Sequence, residues 1–297
     1  MTETPTRFPL WRRKHLVHAV VFLLAGLYIV GIHITLGDPQ PFTPLDLPQV
    51  GGWAALMFGL FLLVRGRHVL RSGKVWEEYY DAILMAVGLA LLVRTFVVEP
   101  FKIPSGSMIP TLLVGDYLFV NKSAYGYRIP FTNLRIWGGE GPRRGDIVVF
   151  EFPQDYSKDY IKRVVGLPGD HIVYDHKKLT INGNPVSYQP RSDFTYLDET
   201  ARPVDALRMQ EQLGDVAHDI LIQPFVFTGF PTDQVVPPGH YFVMGDNRDN
   251  SNDSRFWGFV PGHRLVGRAM ALFWSYDHHA TGPVASIRWD RLFRKLE

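Results

Sequence analysis

Three segments of the chain carry side chains whose types and spacing could do chemistry. In the first, residues 101–112, two hydroxyl groups, Ser105 and Ser107, flank a glycine between prolines that stiffen the loop. The glycine would let a bound chain approach the backbone closely. A simple Ser/Gly/Pro linker is the alternative, and this segment alone leaves it open.

The second segment, residues 159–170, places a lysine in a predicted strand. Because side chains alternate between the two faces of a strand, Lys162 shares a face with Tyr160 and Val164. Arg163 on the other face is expected to be an ordinary solvent-facing charge. Burial lowers the pKa of a lysine, since it removes the solvation of the charged form. Lys162 could then accept a proton near neutral pH; a surface lysine on an edge strand is the alternative.

The third segment, residues 245–258, is rich in Asp, Asn, Ser and Arg. This composition predicts a hydrogen-bonded loop in which the carboxylates neutralise Arg248 and Arg255. A polar turn with no further role stays open. A calcium loop is a weaker alternative, because the EF-hand glycine and terminal glutamate are missing. No metal site is predicted, since the histidines after residue 100 lack the i, i+4 spacing with a carboxylate.

A mainly β domain is expected to position these segments. Short apolar runs separated by Gly, Pro, Asn and Asp predict an antiparallel β core over residues 99–170 and 239–297. Residues 171–238 are polar and turn-rich, and we interpret them as an inserted subdomain. The only helix-like stretch after residue 100 is roughly Val204–Leu213.

The long apolar runs of the chain lie in residues 1–98, which predict a membrane anchor. Three runs predict spans over about residues 16–36, 47–64 and 79–98. Basic residues precede the first run and fill the 65–78 loop, so the positive-inside rule places both in the cytoplasm. Three spans then put everything after about residue 98 on the outer side of the membrane.

Composition narrows the class of protein further. The 297 residues include 31 Lys and Arg against 29 Asp and Glu, a balance that argues against a nucleic-acid-binding protein. Cysteine is absent, which excludes thiolate catalysis, Cys-based zinc sites and disulfide scaffolds. The chain also lacks HExxH, a Walker A loop, GxGxxG after a strand and a GxSxG elbow. No cofactor is predicted.

Taken together, the three segments resemble bacterial type I signal peptidase, the leader peptidase family of Ser/Lys proteases. Four motifs occur in the family's order over about residues 99–170 and 240–275. They read Pro-Ser-Gly-Ser-Met-x-Pro-Thr-Leu, Gly-Asp-Ile-Val-Val-Phe, Tyr-Ile-Lys-Arg-x-Val-Gly-Leu-Pro-Gly-Asp and Gly-Asp-Asn-Arg-Asp-Asn-Ser-x-Asp-Ser-Arg. The resemblance implies N-terminal transmembrane helices and an antiparallel β core of the signal-peptidase/SOS-repressor-like protease fold, with a β-rich insertion.

The resemblance also implies a role for individual residues. Ser107 would be the nucleophile and Lys162 its general base. The backbone N–H of Ser107 and the hydroxyl of Ser105 would form the oxyanion hole, and Ser251 would orient the lysine amine. The loop would be supported by Asp246, Arg248, Asp253 and Arg255. Shallow substrate pockets would be lined by Phe101, Ile103, Met108, Leu118, Val149 and Ile161, for which plain core packing is the alternative.

The function implied is removal of signal peptides from exported preproteins, by cleavage after a small-x-small site at the outer face of the cytoplasmic membrane. Signal peptides and membrane lipid would be the partners of a monomeric enzyme, with no role for nucleic acid. A specialised maturation peptidase of a conjugation or pilus system stays open, as does a non-enzymatic membrane-anchored assembly protein. A self-cleaving protease resembling the SOS repressors is contradicted by the apolar runs. Well-known Gram-negative members of the family have two spans, so the first run is a departure.

Overall fold

The computed structural model describes residues 98–126, 139–198, 200–226, 231–277, 280 and 286–296. The three predicted spans, apart from residue 98, and the predicted 65–78 loop lie outside these residues. Within the described ranges, no helix is long and apolar enough to cross a membrane.

The described part of the chain is built mainly of strands. Helical structure there is limited to one turn of α-helix, α1 (Ser254–Trp257), and the 3₁₀ turns Gly106–Met108, Gly262–Arg264 and Trp289–Arg291. The strands are β1 (Val98–Lys102), β2 (Asp116–Asn121), β3 (Ile147–Phe152), β4 (Asp155–Gly166), β5 (His171–Asp175), β6 (Lys178–Ile181), β7 (Asn184–Pro185), β8 (Ser187–Leu197), β9 (Pro203–Leu213), β10 (Val216–Ile222), β11 (Thr232–Val235), β12 (His240–Met244), β13 (Val260–Pro261) and β14 (Leu265–Ser275).

The largest sheet of the described structure has seven strands, in the order β1-β2-β14-β3-β4-β12-β13. Its neighbouring strands pair antiparallel, which confirms the predicted antiparallel β fold. β3 has the sequence Ile-Val-Val-Phe-Glu-Phe, and such β-branched and aromatic residues favour a strand between two neighbours. In the register of β3 with β4, Val148 lies opposite Lys162.

Two smaller antiparallel sheets are formed by the strands between β4 and β12. One has the order β10-β9-β8 and the other β11-β5-β6-β7. The helix predicted at Val204–Leu213 is wrong, because these residues belong to β9. β9 is the central strand of its sheet and pairs along its length with β8 and β10. Tertiary pairing here overrides the helix-forming tendency of a run containing Ala, Leu, Met, Gln and Glu.

A hydrophobic cluster supports the middle of the seven-stranded sheet. It contains Val148, Phe150, Val164 and Val243, from three adjacent strands, and Tyr160 packs against it. The Tyr160 ring also stacks on Phe152, with 4.3 Å between ring centres. Burial of these side chains fixes the position of β4 and therefore of the lysine that it carries.

Candidate active site

Ser107 lies in the buried 3₁₀ turn Gly106–Met108, which follows β1. The loop after β12 holds this turn by hydrogen bonds to the backbone carbonyls of the turn. The Asn247 N–H donates to the Ser107 carbonyl at 3.1 Å, and Asn247 Nδ2 donates to the Gly106 carbonyl at 3.1 Å. Two consecutive peptide groups around the hydroxyl are therefore fixed by one residue of the third segment.

Lys162 extends from β4 towards this turn. Its Nζ lies 2.7 Å from Ser107 Oγ and donates a hydrogen bond to the Ile161 carbonyl at 2.9 Å. Only 4% of Lys162 is exposed. The amine lies 5.5 Å from the centre of the Tyr160 ring, on the face of β4 that strand alternation predicts. Two predicted chemical groups, 55 residues apart in sequence, thus meet at hydrogen-bond distance.

Burial lowers the pKa of Lys162 from its ordinary value to about 8. Asp253 and Asp246 act in the opposite direction, and Arg255 lowers the pKa further. Both carboxylates are engaged elsewhere, since Asp253 pairs with Arg255 at 2.8 Å and Asp246 with Arg163 at 2.8 Å. The lysine has no such partner among the described residues. An appreciable fraction of the amine is therefore neutral near pH 7.

Arg163 is buried, with 1% exposed, so the expectation of a solvent-facing charge is wrong. Its Nε and Nη2 donate to the two carboxylate oxygens of Asp246 at 2.9 and 2.8 Å, and its Nη1 donates to the Gly145 carbonyl at 2.8 Å. Thr111 also packs at this site and donates a hydrogen bond to the Asp246 carboxylate at 2.5 Å. Alternation put the side chain on the correct face, but that face of β4 is covered by these groups.

The carboxylates and arginines of the 245–258 segment are only partly paired with each other. Asp253 pairs with Arg255 and also accepts from the Gly245 N–H at 3.0 Å, so it ties the start of the loop to α1. Arg248, predicted to be neutralised within the segment, instead donates to Glu211 of β9 at 2.7 Å. Asp246 likewise pairs outside the segment, with Arg163.

Glu211 is therefore a buried supporting residue that sequence reasoning missed. Burial alone would raise the pKa of its carboxyl, but Arg248 holds that pKa well below the usual range. The pair connects the loop after β12 to the central strand of the β8–β10 sheet. Nothing local to Glu211 signals this partner, because the contact depends on how a separate sheet packs on the loop.

Ser105 and Ser251 both reach the neighbourhood of Ser107. Ser105 Oγ lies 3.4 Å from Ser107 Oγ. Ser251 is buried and lines the same cavity, but the lysine amine bonds to Ser107 and Ile161 rather than to Ser251, which was expected to orient it. A Cβ on Gly245 would lie 2.2 Å from Ser251 Oγ and 2.5 Å from the Ser107 carbonyl oxygen, so this position requires glycine.

These groups open into a cavity of about 570 Å³. It is lined by residues 104–107, 159–162 and 249–252 together with Phe256. Among the predicted substrate-binding residues, Ile161 lines it. Ile161 also belongs to a buried hydrophobic cluster that contains the predicted pocket residues Ile103, Met108, Leu118 and Val149. Phe101 packs against this cluster. These five residues therefore pack in the core, as the alternative interpretation expects. In the described ranges, no group of three or more His, Asp or Glu side chains could hold a metal ion.

Comparison with known proteins decides the family. The family model described as signal peptidase, peptidase S26, matches residues 76–274. The chain belongs to this family. It is 43% identical over 212 residues to the signal peptidase I of Pseudomonas fluorescens, covering 67% of this chain and 72% of the relative. It is 36% identical over 266 residues to the signal peptidase I of Haemophilus influenzae, covering 74% of this chain and 76% of the relative.

A solved signal peptidase I structure from Enterococcus faecalis is 30% identical and covers 43% of this chain and 97% of that chain, with a TM-score of 0.27. The family and the similarity to its curated members confirm the resemblance that the four motifs indicate. As a member of the peptidase S26 family, the chain is a serine endopeptidase.

Proposed function

We propose that Ser107 and Lys162 carry out the reaction of this signal peptidase as nucleophile and general base. Membership of the family makes that reaction the removal of signal peptides by a serine protease. The observation that carries the assignment is the 2.7 Å distance between Lys162 Nζ and Ser107 Oγ in a buried site. No observation favours the maturation peptidase or the assembly protein over this reaction.

The first half of the reaction forms an acyl-enzyme. A neutral amine has two N–H groups and one lone pair, so donation to the Ile161 carbonyl leaves the lone pair of Lys162 free to accept the Ser107 proton. Ser107 Oγ then attacks the carbonyl carbon of the scissile bond. When the tetrahedral intermediate collapses, the lysine ammonium gives its proton to the leaving amine. The amine departs as the new N-terminus of the mature protein.

The second half releases the signal peptide. The ester between Ser107 and the signal peptide is attacked by water, whose proton Lys162 accepts. The second tetrahedral intermediate then breaks its bond to Ser107 Oγ, which recovers a proton from the lysine. The signal peptide leaves with a free carboxylate, and the neutral amine and the hydroxyl are restored.

The oxyanion in both halves is stabilised by groups next to the nucleophile. The Ser107 N–H lies in the first turn of a 3₁₀ segment, where amides have no acceptor within the helix. The Ser105 side chain does not cap that turn, and its hydroxyl lies 3.4 Å from Ser107 Oγ, where it would act as the second donor once the oxyanion forms. Donors placed where negative charge develops are worth more in a water-excluded site than in water.

The substrate is proposed to bind as an extended strand between two walls of the cavity. Residues 104–107 form one wall and residues 159–162 the other, so both catalytic groups face the space between them. Backbone hydrogen bonds to exposed strand segments are the usual way to hold an extended peptide. The buried cluster behind Ile161 would limit the depth of the pockets, which suits the small side chains of a small-x-small site.

The domain arrangement is part of the proposal. The apolar runs support a three-span anchor over residues 1–98, and the basic residues flanking them support a cytoplasmic N-terminus. The catalytic core of residues 99–170 and 239–297, with the 171–238 insertion, would then face the outer side, in contact with lipid, as a monomer. An alkaline phosphatase fusion after residue 98 should be active and one within residues 65–78 inactive; the reverse pattern would refute this topology.

The catalytic assignment is tested with the purified full-length chain in detergent and a preprotein with an Ala-x-Ala site. Wild type and Lys178→Ala, a control at an exposed lysine, should cut after the second Ala. Ser107→Ala and Lys162→Ala should leave the preprotein intact. Cleavage by either catalytic variant at the wild-type rate would refute its assigned role. Cleavage by none of the four proteins would instead show that the substrate class is wrong.

A further inference from the structure

The edge strand β10 pairs with the loop after β12, which holds the nucleophile turn. The Leu221 N–H of β10 donates to the Asp246 carbonyl at 2.9 Å, and the Arg248 N–H donates to the Leu221 carbonyl at 3.0 Å. These two bonds form a parallel β-bridge between Leu221 and Asn247. Because the Asn247 N–H in turn donates to the Ser107 carbonyl, β10 supports the nucleophile turn through a single layer of backbone.

A lysine from the other small sheet contacts the chain where β10 ends. Lys177 lies in the turn between β5 and β6, and its side chain reaches the segment that follows β10. Its Nζ donates to the Gln223 and Val226 carbonyls, both at 2.6 Å, and lies 2.9 Å from Asp249 Oδ2. An ammonium group has three N–H donors, so these three acceptors match its full bonding capacity.

Asp249 carries this contact into the loop after β12. Its side chain is 0% exposed, and the same Oδ2 also accepts the Gln223 N–H at 2.6 Å. Asp249 lines the cavity of Ser107, and residues 250–252 continue the same wall. A buried carboxylate depends on its partners to offset the loss of solvation. The lysine therefore helps to fix the place where this wall of the cavity begins.

The backbone conformation of Lys177 is unfavourable for a lysine. The turn has two central residues, His176 with φ +45° and Lys177 with φ +64°, between the paired residues Asp175 and Lys178. Two-residue turns with positive φ at both positions favour Asn-Gly, Asp-Gly or Gly-Gly, since a Cβ is strained there. Such strain occurs at functional sites, where the surrounding structure maintains it. The turn does not explain a lysine at this position, but the contacts of the side chain do.

We propose that Lys177 is a positioning residue for the peptidase reaction. It acts through Asp249, by fixing the loop whose Asn247 N–H holds the turn of Ser107. The inserted subdomain then has a role in catalysis, because Lys177 from one of its sheets and β10 from the other meet at this loop. The inference rests on the proposed function, in which Ser107 and Lys162 carry out the chemistry.

The test compares two glycine variants of the same turn, using preprotein cleavage by the full-length chain in detergent. Lys177→Gly and His176→Gly both place glycine at a positive φ, but only Lys177→Gly removes the contact with Asp249. We expect kcat to fall about tenfold or more in Lys177→Gly, since a misplacement of about 1 Å can cost roughly 10²-fold. His176→Gly, whose wild-type side chain is 89% exposed, should keep the wild-type kcat. Thermal melting shows whether both variants are folded at the assay temperature.

A double-mutant cycle separates positioning through Asp249 from a general loss of stability. Asp249→Asn should lower kcat by itself. If both side chains act through one contact, Lys177→Gly/Asp249→Asn should lose no more than the more damaging single variant, within about twofold.

Three results would overturn the proposal. These are a wild-type kcat in Lys177→Gly, an equal loss in His176→Gly, and a double variant in which the two single effects multiply. Failure of the proposed function has a different signature, namely cleavage by Ser107→Ala at the wild-type rate.

Discussion

Lys162 and Arg163 are consecutive in β4 and both are buried, but only the arginine has an ion-pair partner among the described residues. The lysine faces Ser107 without an ion-pair partner among the described residues, and burial lowers its pKa to about 8. The arginine faces the other side and grips both oxygens of Asp246. One residue of the strand can therefore lose its proton, while its neighbour anchors the loop that holds the turn of Ser107.

Lys162→Met should abolish cleavage but stabilise the protein. Below about pH 8 the folded state bears the cost of a buried ammonium, because its pKa lies below the unfolded value of 10.5. Methionine removes that cost, so we expect a gain of about 1–3 kcal/mol in the free energy of unfolding at pH 7. The gain should shrink as pH rises from the folded towards the unfolded pKa. Urea denaturation across this range checks it, and a loss of stability at pH 7 would show that the lysine is not strained by burial.

Arg163→Met should destabilise the protein strongly, because it leaves Asp246 buried and unpaired. Removing one partner of a buried ion pair costs about 3–5 kcal/mol. The double variant Arg163→Met/Asp246→Leu should recover most of that loss. The control is Arg143→Met, which breaks an exposed pair with Glu140 and should cost less than about 1 kcal/mol. Equal costs for the two single variants, measured by urea denaturation, would contradict the structural role of Arg163.

Ser105→Ala should slow the reaction without stopping it. If its hydroxyl donates to the oxyanion, the loss is about 2.7–4 kcal/mol of transition-state stabilisation, or roughly 10²–10³-fold in kcat. KM should change little, since the interaction forms in the transition state. Ser107→Ala gives the background for comparison. A Ser105→Ala enzyme with wild-type kcat would remove this hydroxyl from the oxyanion hole.

Gly245→Ala should impair catalysis because the added methyl meets Ser251 Oγ and the Ser107 carbonyl at 2.2 and 2.5 Å. The turn that carries the nucleophile must then move, and a displacement of about 1 Å can cost roughly 10²-fold in kcat. Gly183→Ala is the matched control, since its Cβ meets open space although its φ is +78°. That variant should lose stability but keep kcat. Equal kcat values in the two variants would show that the contact at Gly245 is not part of the site.

The sequence contains enough information to predict the antiparallel β class, and to predict that Ser107 and Lys162 belong to one site. The four motifs are specific, and alternation along residues 159–165 assigns Lys162 to the correct face of β4. The sequence could not predict that Arg163 is buried, since its cover comes from Thr111 and Asp246, which are remote in sequence. The prediction of a helix at Val204–Leu213 fails for a related reason, since these residues lie in β9. Its residues favour a helix locally, and only its two neighbouring strands make it extended.

The residues that support the site from behind could not be predicted from the sequence for the same reason. Arg248 was singled out, but its partner Glu211 lies in a different sheet and has no local signal. The family pattern predicts six pocket residues, and all of them except Ile161 lie in or against a buried cluster without lining the cavity. Apolar side chains that line a cavity and apolar side chains that pack behind it are of the same types. The sequence pattern therefore cannot distinguish pocket residues from core residues.

The central claim, that neutral Lys162 removes the proton of Ser107, is tested most directly by the pH dependence of single-turnover cleavage of a preprotein. The base must be neutral, so the rate should rise about tenfold per pH unit below the lysine pKa of about 8 and level off above it. Far-ultraviolet circular dichroism at each pH would confirm that the enzyme stays folded. A rate that stays flat between about pH 6 and pH 9 would contradict Lys162 as the base.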